Sequence, residues 1–185
     1  MTTLDALKSA LPEYAKDLRL NLESVLSEPG APGLSDGQIG AIALASAITA
    51  RYLPLSVALE TALAGKLGPG EIAGARAAAA MMAMTNVYYR FMHLAENKEY
   101  ETLRAGLRMN VMANPGIDKV SFELAALAAS AINGCGACMD SHEKVLRAHG
   151  VTAQGVQSAV RIAAVVHAVA VTLEQAAQAT LAQAA

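Results

Sequence analysis

The 185-residue sequence has few aromatic and few charged side chains. It contains no tryptophan and two phenylalanines, and charged residues make up only 16% of the chain. The formal net charge is −2, and no run of basic residues occurs. Binding of nucleic acid needs a basic surface or aromatic side chains on which bases stack. We therefore expect no nucleic-acid partner.

The sequence also lacks the signals that direct a chain to a membrane or out of the cell. Its N-terminus, MTTLDALKSALPEYAKDL, has neither the basic flank nor the apolar block of a signal peptide. No stretch reaches eighteen uninterrupted apolar residues, and the nearest, 162–173, contains His167. We expect a cytoplasmic protein with no membrane contact.

Alternating runs of β-branched residues are missing as well, and helix-forming residues dominate. We predict an all-α fold in a single domain that spans residues 1–185, a length that supports one substantial core. Because 54% of the residues are hydrophobic, a monomer would expose apolar helix faces, and self-association is the expected remedy. The alternative is that alanine, which is tolerated anywhere on a helix, inflates this value.

Capping and breaking residues divide the chain into predicted helices. Ser35 and Gln38 have the spacing of a capping box, and Pro54 suits the first turn of a helix. Residues 27–34, 67–71 and 112–118 are predicted breaks, because glycine, proline or both occur in each. The predicted helices cover about 12–25, a segment from 35 onward, 54–65, a segment to about 94, 120–132 and 135–149. The methionines Met81, Met82, Met84 and Met92 are predicted to fill the core.

Two parts of the chain resemble each other. ASAITARYLP at 45–54 and ASAINGCGAC at 129–138 share ASAI at an offset of 84 residues. The alignment predicts an internal repeat, with a first unit at about 35–95 and a second at about 119–180. It places Cys135 opposite Arg51, and Cys138 opposite Pro54. Chance similarity between alanine-rich helices is the alternative.

The only two cysteines lie in the stretch SAINGCGACMDSHEKVL. On an α-helix Cys138 and His142 are one turn apart on the same face and can touch, and Cys135 lies within disulfide reach of Cys138. The Asn133–Gly134 pair predicts a turn directly before them. The thiols should therefore lie in the first turn of a helix, where free N–H groups and the helix dipole favour a thiolate.

A reactive dithiol is not the only interpretation of this stretch. A zinc site has four protein ligands, or three with an open position. Cys135, Cys138 and His142 span too much of one helix to surround an ion, and the sequence has no second CxxC or HxxxH, so we expect no metal. Two inert buried cysteines remain an alternative. In the cytoplasm, however, a CxxC is more often catalytic or metal-binding than a structural disulfide.

Glu123 is the candidate partner for His142. It lies in the apolar stretch FELAALAAS, where a carboxylate is costly unless it has a partner or a function. A short turn joins its predicted helix to the thiol helix, so the two can pack side by side and Glu123 can orient His142 or exchange protons with it. Alternatively, Glu123 only occupies the first turn of its helix, where the dipole favours acids. The sequence does not separate the two.

The pattern Glu-x11-Cys-x2-Cys-x3-His resembles that of the alkyl hydroperoxide reductase AhpD family, within the carboxymuconolactone-decarboxylase-like superfamily. Similar strings cover most of the chain: LPEYAKDLRLNL near the start, NVYYR at 86–90, LRMNVMANPGI at 107–117, FELAALAASAINGC at 122–135 and SHEKVLRAHGV at 141–151. The resemblance implies an all-helical AhpD-like domain with an internal two-fold repeat, assembled as a homotrimer.

The resemblance also implies an antioxidant thiol peroxidase that reduces organic hydroperoxides. Cys138 matches the peroxidatic cysteine, which forms a sulfenic acid, and Cys135 matches the resolving cysteine and proton donor of the redox disulfide. Glu123 and His142 match the proton relay. Electrons would come from dihydrolipoamide on a lipoylated dihydrolipoamide acyltransferase and pass to the peroxiredoxin AhpC, with no bound cofactor. One departure is Ala137, because some family members have a histidine at that place.

Three other functions stay open at the level of sequence. One is a disulfide carrier between a lipoylated protein and a peroxiredoxin, with incidental peroxidase activity. Another is a carboxymuconolactone-type decarboxylase, whose reaction has no need of a CxxC. The last is a non-catalytic helical trimer with ordinary thiols.

Overall fold

The computed structural model describes residues 3–184, except for the side chains of residues 180, 181, 183 and 184. This range contains ten α-helices and, apart from one isolated bridge between Ala64 and Leu67, no β-pairing. The helices are α1 (Leu4–Ser9), α2 (Lys16–Val25), α3 (Asp36–Thr49), α4 (Leu53–Ala62), α5 (Pro69–Leu94), α6 (Glu99–Thr102), α7 (Asn110–Ala113), α8 (Lys119–Asn133), α9 (Gly136–Ala148) and α10 (Ala153–Ala184). The predicted all-α class is confirmed.

Capping residues determine where the helices begin. The Ser35 hydroxyl accepts the Gln38 N–H at 3.3 Å, and the Gln38 side chain accepts the Ser35 N–H at 3.0 Å, so the predicted capping box is confirmed. The Asp118 carboxylate accepts the N–H of Ser121 at 3.0 Å and begins α8. The predicted helix at 12–25 begins instead with a 3₁₀ turn, Glu13–Ala15.

The central helix is α8. It packs against α3, α5, α9 and α10, and residues 121–130 are all buried. Alanines on α3, α5 and α8 let these three helices approach closely, and Leu44, Met82 and Phe122 fill the space between them. A polar side chain on this stretch of α8 is therefore removed from bulk water and needs a partner in the protein.

The last helix, α10, is long and apolar. Within residues 153–179 an 18-residue window has a mean hydropathy of 1.7, so by length and composition alone this segment could cross a membrane. In the structure α10 packs against α2, α3 and α8 instead, and Ile162, Val166 and Leu173 are buried in the core. Its apolar composition is accounted for by a position in the core.

The turns after α3 and α8 have the same backbone form. Arg51 follows α3 with φ 64°, and Tyr52, with φ −89° and ψ 93°, is the N-cap of α4. Gly134 follows α8 with φ 70°, and Cys135, with φ −96° and ψ 93°, is the N-cap of α9. By these angles Cys135 corresponds to Tyr52, whereas the sequence alignment pairs it with Arg51.

The difference in register comes from the length of the two turns. Two residues separate the end of α3 from the N-cap of α4, and only one separates the end of α8 from the N-cap of α9. Beyond the turns the offset is therefore 83 residues, so Cys138 corresponds to Leu55 and not to Pro54. The repeat itself stays a prediction.

Candidate active site

Both cysteines lie at the start of α9, as the Asn-Gly pair predicts. Gly134 has φ 70°, in the left-handed region that glycine favours, and it turns the chain from α8 into α9. Cys135 is the N-cap residue and Cys138 is the third residue of the helix. Their Cα atoms are 5.3 Å apart and their sulfurs form a disulfide. The structure thus describes the oxidised form of the pair.

The two sulfurs differ in access. Cys135 is completely buried, whereas Cys138 is 7% exposed and lines a pocket of about 510 Å³. The rest of the lining comes from α9, α5 and the connection before α8: Ala137, Ser141, His142, Met82, Thr85, Tyr89, Met109, Met112 and Ala113. A molecule that enters this pocket meets Cys138 before Cys135.

His142 lies one turn after Cys138 and contacts Glu123. Its ring Nδ1 is 2.5 Å from Glu123 Oε2, and both side chains are buried. The contact forms because α8 and α9 pack against each other after the Gly134 turn. Of the two interpretations of Glu123, the geometry matches the one in which the carboxylate orients His142.

Lys119 also reaches Glu123. Its Nζ is 2.7 Å from Glu123 Oε1, one helical turn earlier on α8. Burial alone would raise the pKa of Glu123, but hydrogen bonds from His142 and Lys119 more than offset this and hold the pKa of Glu123 below its ordinary value. Glu123 is therefore ionised at neutral pH and accepts hydrogen bonds from both neighbours.

The connection that forms one wall of the pocket is fixed at its end. Ile117 packs directly on Gly74, where a Cβ atom would lie 2.6 Å from Ile117 Cδ1, so glycine permits this close approach. Lys119 donates a hydrogen bond to the carbonyl of Met112 at 3.5 Å. Lys119 thus contacts both the pocket wall and Glu123.

Known proteins are similar to this chain over most of its length. A model of the carboxymuconolactone decarboxylase family matches residues 98–182, which include Glu123, both cysteines and His142. The alkyl hydroperoxide reductase AhpD of Streptomyces coelicolor is 54% identical over 172 residues, which cover 93% of this chain and 95% of the relative. AhpD of Rhodopseudomonas palustris strain BisA53 is 52% identical over 172 residues, or 93% of each chain. AhpD of Brucella suis is 50% identical over 174 residues, 94% of this chain and 98% of the relative.

The chain belongs to the AhpD family. The resemblance inferred from the sequence motifs is confirmed, and it extends over nearly the whole chain.

Two residues of this AhpD-family site, Lys119 and Met82, are not predicted by the sequence motifs. Lys119 precedes Glu123 by four residues, and that spacing on a helix is a signal that could have identified it. Of the four methionines predicted for the core, Met82 is buried and the other three are only partly buried. The Met82 sulfur also lies 3.2 Å from His142 Nε2. No pattern in the sequence distinguishes Met82 from Met81 or Met84.

A chain of polar contacts lies behind the thiol turn. Asn86 donates to the Ser130 hydroxyl at 3.0 Å, and Asn133 donates to Asn86 Oδ1 at 3.0 Å. Arg90 donates to the carbonyl of Asn133 at 2.6 Å, at the last residue of α8. These contacts join α5 to the end of α8 and fix the place from which Cys135 starts the next helix.

Ala137 contributes only a methyl group to the pocket. Among the residues given for the pocket lining, His142 is the one imidazole. Within residues 3–184 no three histidine, cysteine, aspartate or glutamate side chains are arranged to hold a metal ion. Ala137 therefore places no titratable group beside Cys138.

Proposed function

We propose that this AhpD-family protein is a thiol peroxidase that reduces organic hydroperoxides through a dithiol–disulfide cycle of Cys135 and Cys138. The observation that supports the proposal best is the difference in access between the two sulfurs. Cys138 lines the pocket next to His142, while Cys135 is sealed behind it within bonding distance. This is the division of roles expected of a peroxidatic and a resolving cysteine.

The reaction starts from the reduced dithiol. Glu123 and His142 draw the proton from Cys138, and the thiolate attacks the O–O bond of the hydroperoxide. The alcohol leaves and Cys138 becomes a sulfenic acid. The Cys135 thiol then attacks that sulfur, the disulfide forms and water leaves. Each cycle takes two electrons from the dithiol and converts one hydroperoxide to one alcohol and one water.

The local structure favours both the thiolate and an apolar substrate. Cys138 lies in the first turn of α9, where the helix dipole stabilises a negative sulfur. Methionine, tyrosine and alanine side chains form much of the pocket wall. Such a wall suits the apolar body of an organic hydroperoxide better than a charged substrate.

We also infer how the cycle is reset. A dihydrolipoamide thiol, carried by a lipoylated dihydrolipoamide acyltransferase, reopens the disulfide by exchange at Cys138, and electrons can pass on to the peroxiredoxin AhpC. Membership of the AhpD family supports these partners. We also propose that the protein is cytoplasmic and assembles as a homotrimer. Apolar side chains exposed at the end of α5, among them Val87, Phe91 and Leu94, support the self-association.

Stopped-flow oxidation of the reduced protein by cumene hydroperoxide tests the peroxidase proposal. Cys138→Ser should lose the fast phase, because the accessible thiolate is gone. Cys135→Ser should keep the first oxidation but stop at the sulfenic acid, which dimedone traps and mass spectrometry detects. A Cys138→Ser variant that reacts as fast as wild type would show that the sulfurs are assigned wrongly.

A disulfide carrier is the second candidate, and it uses the same residues. The observation in its favour is the disulfide with one accessible sulfur, which suits attack by an external thiol as well as it suits the peroxide cycle. Turnover on cumene hydroperoxide, compared with turnover on oxidised AhpC, separates the two. A carboxymuconolactone-type decarboxylase would instead keep its activity when both cysteines are replaced by serine.

A further inference from the structure

The sulfur of Met82 is the centre of a small polar cluster in the core. His142 Nε2 lies 3.2 Å from Met82 Sδ, the Ser130 hydroxyl 3.3 Å and Asn86 Nδ2 3.5 Å. The Thr85 hydroxyl is 3.6 Å away, although it also donates to the carbonyl of Met81 at 2.9 Å. Met82 is 1% exposed and lines the Cys138 pocket.

These contacts require a hydrogen-bond acceptor at the position of the Met82 sulfur, and not only an apolar side chain of similar volume. Ser130 accepts a hydrogen bond from Asn86, and Met82 Sδ is the acceptor that the structure gives for the Ser130 hydroxyl. A leucine would fill similar space but would leave buried donors without an acceptor, which is costly. A thioether is a weak acceptor, so it can hold a donor and release it again.

His142 has two ring nitrogens with different tasks. Nδ1 is bound to Glu123, so Nε2 is the nitrogen that remains for proton exchange with Cys138. In the described disulfide state, Cys138 carries no proton to give and Nε2 lies against Met82. Met82 Sδ is therefore the atom that His142 Nε2 contacts when Cys138 has no thiol proton to exchange with it.

We propose that Met82 is a positioning residue for His142 in the thiol reaction. When the dithiol is reduced, the S–H bond of Cys138 breaks, the proton moves to His142 Nε2 and the electron pair stays on sulfur as the thiolate. The new Nε2–H then donates to Met82 Sδ, while Glu123 holds Nδ1. The thiolate is stabilised because the proton that Cys138 has lost, now on His142 Nε2, makes a hydrogen bond to Met82 Sδ. This inference rests on the thiol chemistry proposed above.

The test measures how fast iodoacetamide alkylates the reduced thiol at pH 7, which reports the thiolate whatever the oxidant or partner is. Met82→Leu should slow alkylation by about five- to tenfold, the value of one hydrogen bond. Met82→Gln, which supplies an amide oxygen as acceptor, should restore the rate to within about twofold of wild type. Met81→Leu, a neighbouring methionine on the same helix, is the control and should leave the rate unchanged.

A second measurement does not depend on any variant. In reduced wild-type protein at pH 7, ¹⁵N NMR of the His142 ring should find a hydrogen on Nε2, because the proposed step moves the Cys138 proton to that nitrogen. A bare Nε2 would overturn the proposal, and so would equal alkylation rates for Met82→Leu and wild type. Equal losses in Met82→Leu and Met82→Gln would also overturn it, since packing alone would then explain both. Fast alkylation without oxidation by cumene hydroperoxide would reject the peroxidase and leave the role of Met82 intact.

Discussion

The α8–α9 turn and the α3–α4 turn share a backbone form but differ completely in the side chains around them. By the structural register, Leu55 holds the place of Cys138 and Leu59 the place of His142. Both leucines are buried in the main apolar core. The second turn carries two sulfurs and an imidazole, at Cys135, Cys138 and His142, and the first carries Tyr52 and two leucines at the matching positions.

The difference continues in the helices that pack beside each turn. The predicted repeat, with its offset of 84 residues, would pair Ile39 with Glu123 and Val166 with Met82. Ile39 and Val166 also belong to the main apolar core. Buried apolar residues thus stand at the positions that correspond to Cys138, His142, Glu123 and Met82, whereas Lys119 corresponds to the exposed Ser35. The predicted repeat implies that the helical frame needs no polar group at these positions, and we expect the polar site to cost stability.

Apolar replacement of the relay should test this comparison with the largest effect. Glu123→Leu alone leaves the buried His142 without its carboxylate and should cost about 3–5 kcal/mol of unfolding free energy. Glu123→Leu combined with His142→Leu makes the site as apolar as its counterpart. The double variant should return to within about 1 kcal/mol of wild type or exceed it. Urea denaturation of the two variants and of His142→Leu measures the coupling.

One result of the urea denaturation would contradict this prediction. If the double variant loses the sum of the two single losses, Glu123 and His142 are not coupled and the buried pair is not the source of the cost. Alkylation of Cys138 is the functional control, and it should be slow in all three variants because each lacks part of the relay.

The sequence predicts the frame and the main site residues for physical reasons that can be named. The capping box at Ser35 and the glycine turn at Gly134 are local signals, and local signals fix helix ends. The spacing of Cys138 and His142 on one helix predicts that they share a face. The contact between Glu123 and His142 joins two helices, and the sequence offers it only as one of two interpretations.

Contacts between distant segments are what the sequence could not supply. Met82 reaches His142 across 60 residues, through the packing of α5 against α8 and α9. An unpatterned methionine on an alanine-rich helix gives no hint of this contact. The sequence alignment of the two turns differs from the structure by one residue for a related reason. Matching residue types does not show that one turn is a residue longer than the other.

Lowering the pH should reduce the stability that the Glu123 ion pairs contribute, with a smaller effect than the apolar replacements. The lowered pKa of Glu123 means that its ion pairs contribute stability above its ordinary pKa of about 4.3. This contribution is lost as the pH falls below that value and through the lowered pKa of the folded state. Its apolar counterpart, Ile39, has no such dependence.

The measurement is the melting temperature of wild type and of Glu123→Gln between pH 7 and pH 3. The difference between the two proteins should be largest at pH 7 and shrink as the solution becomes acidic. A difference that stays constant over this range would mean that the ionised form of Glu123 contributes nothing to stability.

The smallest expected effect concerns the left-handed residue that both turns share. Gly134 has φ 70° and Arg51 has φ 64°, so the same left-handed backbone conformation is adopted by a glycine in one turn and by an arginine in the other. A Cβ atom on Gly134 would meet nothing within 4 Å, so the cost of Gly134→Ala is conformational and should be about 1 kcal/mol. Arg51→Gly relieves the same strain but makes the unfolded chain more flexible, and these terms nearly cancel. Urea denaturation should therefore show a loss for Gly134→Ala and a change within about 0.5 kcal/mol for Arg51→Gly. A large loss for Arg51→Gly would show that the arginine side chain, and not the turn, stabilises the first junction, and the two turns would then be alike only in form.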